Sequence, residues 1–183
     1  MDIIRRTALR EGRWRNGLGV SWDIASEPPG EDTFGWRLAI ARIDTDVPFS
    51  IYPGVDRVFT LLAGEGLRLE FDGRPALVVD RRFVPHSFAC DVPTFCHLRH
   101  GPCHALNLFT RRGQWSASVG VVSGGCVLRH DGPILLFALE GAADVNGEVL
   151  GEGDSAVVAG EVRAGTDGFL YAAKLVSSAR HLL

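Results

Sequence analysis

An all-β chain made of two small barrels is what this sequence predicts. Three observations predict it. Short β-rich runs sit between turn signals, 22 glycines punctuate them, and two segments echo each other at a period near half the chain.

The runs follow one another in order. GWRLAIARI (residues 35–43) and RVFTLLAGE (57–65) mix branched, aromatic and alternating residues that suit a half-buried pleat. LRLEF (67–71) and ALVVD (76–80) flank the turn FDGRP. TFCHLRH (94–100) and HALNLFT (104–110) close the first half. ILLFALEG (134–141) and SAVVAG (155–160) form the second, separated by the turns VNGE and GEGD. Helical periodicity is confined to the tail around SSARHLL. The echo lies between Leu61–Gly73 and Ala138–Val158, with Gly64 and Gly141 opening equivalent turns. This pattern resembles cupins, and the expected fold is a compact bicupin of jelly-roll barrels arising from an internal duplication. The expected division is 1–115 and 116–183, with the join near Arg111–Ser118.

Composition bounds the function. At 183 residues the chain holds one domain or two small ones fused tightly, and 46% hydrophobic residues exclude a disordered chain. A net charge of −3 and isolated pairs such as Arg5-Arg6 argue against nucleic acid or an anionic membrane as partner. The start MDIIRRTALREG lacks a signal-peptide core, and PILLFAL is far short of a membrane span. A cytoplasmic protein is expected, with Cys90, Cys96, Cys103 and Cys126 as buried thiols.

Metal-binding cupins carry His-x-His, then Glu, then a strand ending in glycine, with a later histidine. Aligning PFSIYPGVDRVFTLLAGEG (residues 48–66) through Gly64 places Arg57 at the carboxylate position. Ser50 and Tyr52 fall near the histidine positions, and His86 of VPHSF falls at the last one. That set does not suit a divalent metal, and a fixed guanidinium repels one. The second repeat has no such cluster before Gly141, so neither barrel is expected to hold a metal or other cofactor. A guanidinium fork beside hydroxyls instead suits a carboxylate. The competing reading pairs Arg57 with Asp56 or another surface acid. CHLRHGPCH (96–104) splits its cysteines and histidines across two strand faces and reads as buried thiols and solvated imidazoles rather than as a zinc site.

WRNGLGVSWDIA (14–25) resembles the opening motif of the HutD/Ves family, Trp-x-Asn-Gly-x-Gly-x-Thr-x-Glu-Ile, with Ser21 for threonine and Asp23 for glutamate. The likeness continues through residues 34–43, PFSIYPGVDR (48–57), FACDVP (88–93) and HALNLFTRRG (104–113). Cys90, Ala105 and Phe109 depart from the family's glycine, aspartate and methionine. The resemblance implies a bicupin-like fold and, in the HutD branch, an association with bacterial histidine utilisation. Carried over residue by residue, it implies pocket positions at Asn16, Ser21, Arg57, Asn107 and Arg111. Asp91 reads as a turn-closing residue. Trp14 and Trp22 serve as core plugs or as stacking platforms.

The expected function is non-catalytic binding of a small organic acid, with Asn16, Ser21, Ser50, Tyr52, Arg57, His86, Asn107 and Arg111 as ligand-binding candidates. The alternative is a metal-free isomerase or lyase using His86 as general base. A homodimer through sheet faces or edges is compatible with either.

Overall fold

Alternation with a period of two governs the strands that shape the interior. In Val55–Leu61 the side chains of Val55, Arg57, Phe59 and Leu61 are buried, while Asp56 and Val58 are only partly covered. The computed structural model describes residues 1–30 and 33–178, and among these there is no α-helix. Beyond Ser178 the tail noted for helical periodicity lies outside the described residues.

The chain divides into two compact units, Arg10–Arg112 and Met1–Leu9 with Gly113 onward. Strand β1 (Asp2–Ile4) belongs to the latter. The Arg10–Arg112 unit carries β2 (Glu11–Arg13), β3 (Val20–Glu27), β4 (Trp36–Ile43), β5 (Val47–Pro48) and β6 (Val55–Ala63). It continues with β7 (Leu67–Phe71), β8 (Arg74–Val79), β9 (Pro85–Ala89), β10 (Thr94–Leu98) and β11 (Cys103–Arg111). These form a six-stranded sheet, β2-β3-β4-β11-β6-β9, and a four-stranded sheet, β5-β10-β7-β8. Ile43, Phe59, Leu61 and Ala105 of the first pack with Val47, Leu67, Leu69 and Cys96 of the second in one apolar core.

The other unit is built from β1, β12 (Trp115–Glu140), β13 (Ala143–Val145), β14 (Glu148–Leu150) and β15 (Ser155–Ser177). Its two long strands fold back on each other. Ile134 is in register with both Val158 and Lys174, so the end of β12 lies between two arms of β15. Strand β1 pairs with Ser155–Val157, which ties the first nine residues to this unit. Ile134, Leu136, Val145, Val158, Val162 and Leu170 fill its core. Gly64 and Gly141 each follow a strand end at positive φ, +102° and +72°, a conformation that side chains rarely adopt.

No helix among the described residues is long and apolar enough to cross a membrane.

Candidate functional site

The inner face of the six-stranded sheet changes character along its strands. At one end Ala105 and Leu61 are apolar core, with Ala41 as the partner of Ala105 on β4. Two residues further along, in register across three strands, stand Ala39, Asn107 and Phe59. Two further still stand Arg37, Phe109 and Arg57. Cross-strand partners share a face, so two guanidiniums flank one aromatic ring on the same side of the sheet. Ala39 and Ala41 are small, and the space they leave becomes a cavity of about 40 Å³. Trp14, Ser21, Phe49, Ser50 and Tyr52 complete its wall around Arg57 and Asn107.

Arg57 is the centre of this arrangement. It is only 6% exposed, and its Nε has no hydrogen-bond partner. Its guanidinium carbon lies 4.7 Å from the ring centroid of Phe109, 4.9 Å from Phe49 and 5.6 Å from Phe88. Among the described residues no carboxylate is within ion-pair reach of it; neighbouring Asp56 points to the other face and pairs with Arg112 at 2.5 Å. The surface pairing weighed from sequence is therefore absent, because strand alternation turns the two side chains apart. Asn107 is 3% exposed; its Nδ2 donates to the Ala105 carbonyl at 3.3 Å, and its Oδ1 is unpartnered. Arg37, by contrast, is paired with Asp23. The Cys90 thiol is pushed up by burial, with the Arg57 guanidinium drawing it part-way back.

Of the candidates read from sequence, Ser21, Ser50, Tyr52, Arg57 and Asn107 line this one cavity. Three others do not. Asn16 spends its side chain on the turn: Nδ2 donates to the Pro48 carbonyl at 2.9 Å and Oδ1 accepts from the Leu18 amide at 3.1 Å. Its own amide donates to Ser50 Oγ at 3.2 Å, so Asn16 places a wall residue rather than facing the cavity. Arg111 shares the face of Asn107 but donates from Nε to the Phe34 carbonyl at 3.0 Å. His86 lies on edge strand β9, opposite Phe59, outside the lining; burial and the charge of Arg81 push its pKa down.

Asp91 closes a turn, accepting from the Gly54 amide at 2.5 Å and pairing with Arg112, which holds its carboxyl below the usual range. Trp14 both lines the cavity and plugs it, with Nε1 donating to the Val20 carbonyl and its ring edge-on to Phe49. Trp22 instead stacks on His104 at 6.4 Å. Cys96, in the core, is raised to about 12 by burial. Arg37, Phe49 and Phe59 escaped the sequence reading. The alternation Arg37-Ala39-Ala41-Ile43, with small residues on one face, was the available signal for Arg37.

The cupin fold raises the question of a metal. Arg57, Ser50 and Tyr52 do not fit one, and no group of three or more His, Cys, Asp or Glu among the described residues is placed to hold one.

Comparison with known proteins agrees with this architecture. The family model HutD matches residues 6–171. Protein Ves of Citrobacter koseri is 34% identical over 139 residues, covering 75% of this chain and 72% of the relative. An uncharacterised 21.2 kDa protein from the hutC 3′ region of Pseudomonas putida is 32% identical over 148 residues, covering 80% and 77%. The structure of HutD from Pseudomonas fluorescens SBW25, in a formate condition, superposes with a TM-score of 0.87 at 27% identity, covering 96% and 98%. Bacillus subtilis oxalate decarboxylase, a cupin with Mn(II) centres, superposes at 0.65 with 9% identity over 96% of this chain and 78% of its own, a likeness of fold alone.

Proposed function

The chain belongs to the HutD family, and from that premise we propose that it binds a small organic acid, without turnover, in a role linked to histidine utilisation. One observation carries the reading: Arg57 is buried, has no counter-ion among the described residues, and leaves an N–H unpartnered beside a cavity. An isolated buried cation is costly, and a carboxylate entering the cavity supplies both the charge and the acceptors that the guanidinium fork lacks. The hydroxyls of Ser21, Ser50 and Tyr52 and the amide of Asn107 orient it. Among the described residues the lining contains no histidine, cysteine or carboxylate, which supports binding rather than general acid–base chemistry. The hutC-region setting of the P. putida relative supports the link to histidine utilisation.

Calorimetric titration with formate, acetate, urocanate and N-formylglutamate tests the proposal. Saturable heat with at least one acid, lost in Arg57→Ala, is expected. Absence of heat with every acid rules the reading out, as does binding that Arg57→Ala leaves intact.

A further inference from the structure

The inner cavity is small. About 40 Å³ accommodates roughly three waters, or a carboxylate head, but not a whole metabolite. Any larger acid anchored at Arg57 must leave its remaining atoms elsewhere.

A second depression lies against the first. It is a polar cleft of about 610 Å³ within the same unit, and it shares Arg37 and Tyr52 with the inner cavity as a common wall. The cleft follows β3 where that strand has lost its neighbour: β2 covers β3 only from Val20 to Trp22, whereas Asp23, Ile24, Ala25 and Ser26 border the opening. Three arginines, Arg13, Arg15 and Arg37, face one aspartate, Asp23, in its described wall. Asp23 is already engaged by Arg37. Arg13 and Arg15 are exposed and have no carboxylate within ion-pair distance among the described residues, and the Arg15 guanidinium sits 5.5 Å from the centre of the Tyr52 ring. Tyr52 thus has the inner cavity on one side and a cation on the other.

Resting on the acid-binding reading above, we infer that the natural ligand is an elongated acid with two anionic ends. One carboxylate seats at Arg57. A slim middle passes Tyr52 and Arg37, and the second anionic group is held in the outer cleft by Arg13 and Arg15. The two ends are recognised differently. The inner guanidinium is desolvated and sets whether an acid binds at all. The outer pair is solvated and salt-screened, so it selects among acids by a modest factor.

Glutarate, adipate and pimelate, each paired with its monomethyl ester, separate the two contributions. The ester keeps the length and one carboxylate but loses the second charge. In wild type the best diacid is expected to bind about fivefold or more tightly than its ester at low salt. In the Arg13→Gln/Arg15→Gln double variant that ratio falls to about one, and in Arg68→Gln, a surface arginine paired with Glu70, it is unchanged. Melting curves establish that each variant is folded. A ratio near one in wild type overturns the inference, as does a ratio that survives the double variant. In both cases ester binding that depends on Arg57 leaves the carboxylate site standing. If neither acids nor esters bind, the acid-binding reading fails and the two-ended ligand fails with it.

Discussion

Replacing Arg57 with methionine is expected to make the free protein more stable while abolishing acid binding. The guanidinium is 6% exposed, its Nε–H is unpartnered, and no carboxylate among the described residues neutralises it. Desolvating such a cation costs several kcal/mol even after relaxation. The orphaned N–H adds about 1–3 kcal/mol. Against this stand three aromatic faces at 4.7, 4.9 and 5.6 Å. At roughly 0.5–2 kcal/mol each, they offset part of the cost. Methionine keeps an apolar stem among the rings and discards the charge. The net expectation is a gain of about 1–3 kcal/mol, or roughly 2–4 °C per kcal/mol for a chain of this size.

Urea unfolding in a low-salt zwitterionic buffer, with and without a bound acid, is the assay. Without acid the Met variant should be the more stable. With acid at a hundred times its Kd, wild type should gain about 2.7 kcal/mol and the variant nothing, so the gap closes or reverses. A variant that loses 2 kcal/mol or more without acid, with acid making no difference to wild type, refutes the reasoning. Arg57 would then be a plug satisfied by its aromatic box.

Other outcomes follow from the same geometry. Asn107→Asp places a carboxylate in the cavity that Arg57 lines; it should raise stability at neutral pH by about 1–2 kcal/mol and weaken acid binding by about tenfold or more, read by unfolding and calorimetry. Gly64→Ala should cost about 2 kcal/mol or more, since φ is +102° and the new Cβ falls 2.6 Å from Cys103 Sγ and 2.7 Å from the Pro102 carbonyl oxygen. Gly73→Ala, at φ +66° with open space around it, should cost only about 1 kcal/mol. His97 bridges Glu70 and Asp46 at 3.2 Å each, and these carboxylates raise its pKa. A raised folded value contributes stability in full below the unfolded value near 6.5 and loses it as pH rises through the folded value. The stability difference between wild type and His97→Gln, measured from pH 5 to 9, should therefore shrink above about pH 6.5; a difference that grows with pH contradicts the bridge.

The strands were legible where alternation and turn signals are local. The runs at 35–43, 57–65, 67–71 and 104–110 each lie within or overlap β4, β6, β7 or β11. The glycine-rich stretch GVVSGGCVLRH was not read as a strand, because glycine weakens every strand signal. In β12 it is held by pairing with β15, itself a long strand, a non-local cause that no window of sequence contains. The site was legible in the same uneven way. Arg57, Ser50 and Tyr52 stood out by occupying positions where another chemistry was expected. Asn16 and Arg111 carried the right functional groups, but local geometry had already used them, on Pro48 and Phe34. Arg37 joins Arg57 only through the register of β4 and β6 on either side of β11, where their shared partner Phe109 lies 72 positions from Arg37 and 52 from Arg57.

Register also decides the sign of the cavity. Asp56 and Arg57 are adjacent, so a slip of one residue in β6 would turn the acid inward and the guanidinium out, giving a cavity that attracts cations. What prevents the slip is apolar. Val55, Phe59 and Leu61 are 0%, 1% and 0% exposed on the same face as Arg57, and moving them outward would lose about 1.5–3 kcal/mol for each buried side chain. Together that burial exceeds the net cost of about 1–3 kcal/mol worked out above for holding the guanidinium inside. The core thus forces into the interior a cation with no counter-ion among the described residues, and an anionic ligand is the partner proposed above to remove its cost. On that proposal stability and ligand polarity are set by one alternation, and substitution at Leu61, which lies outside the described lining, should disturb acid binding without touching the acid.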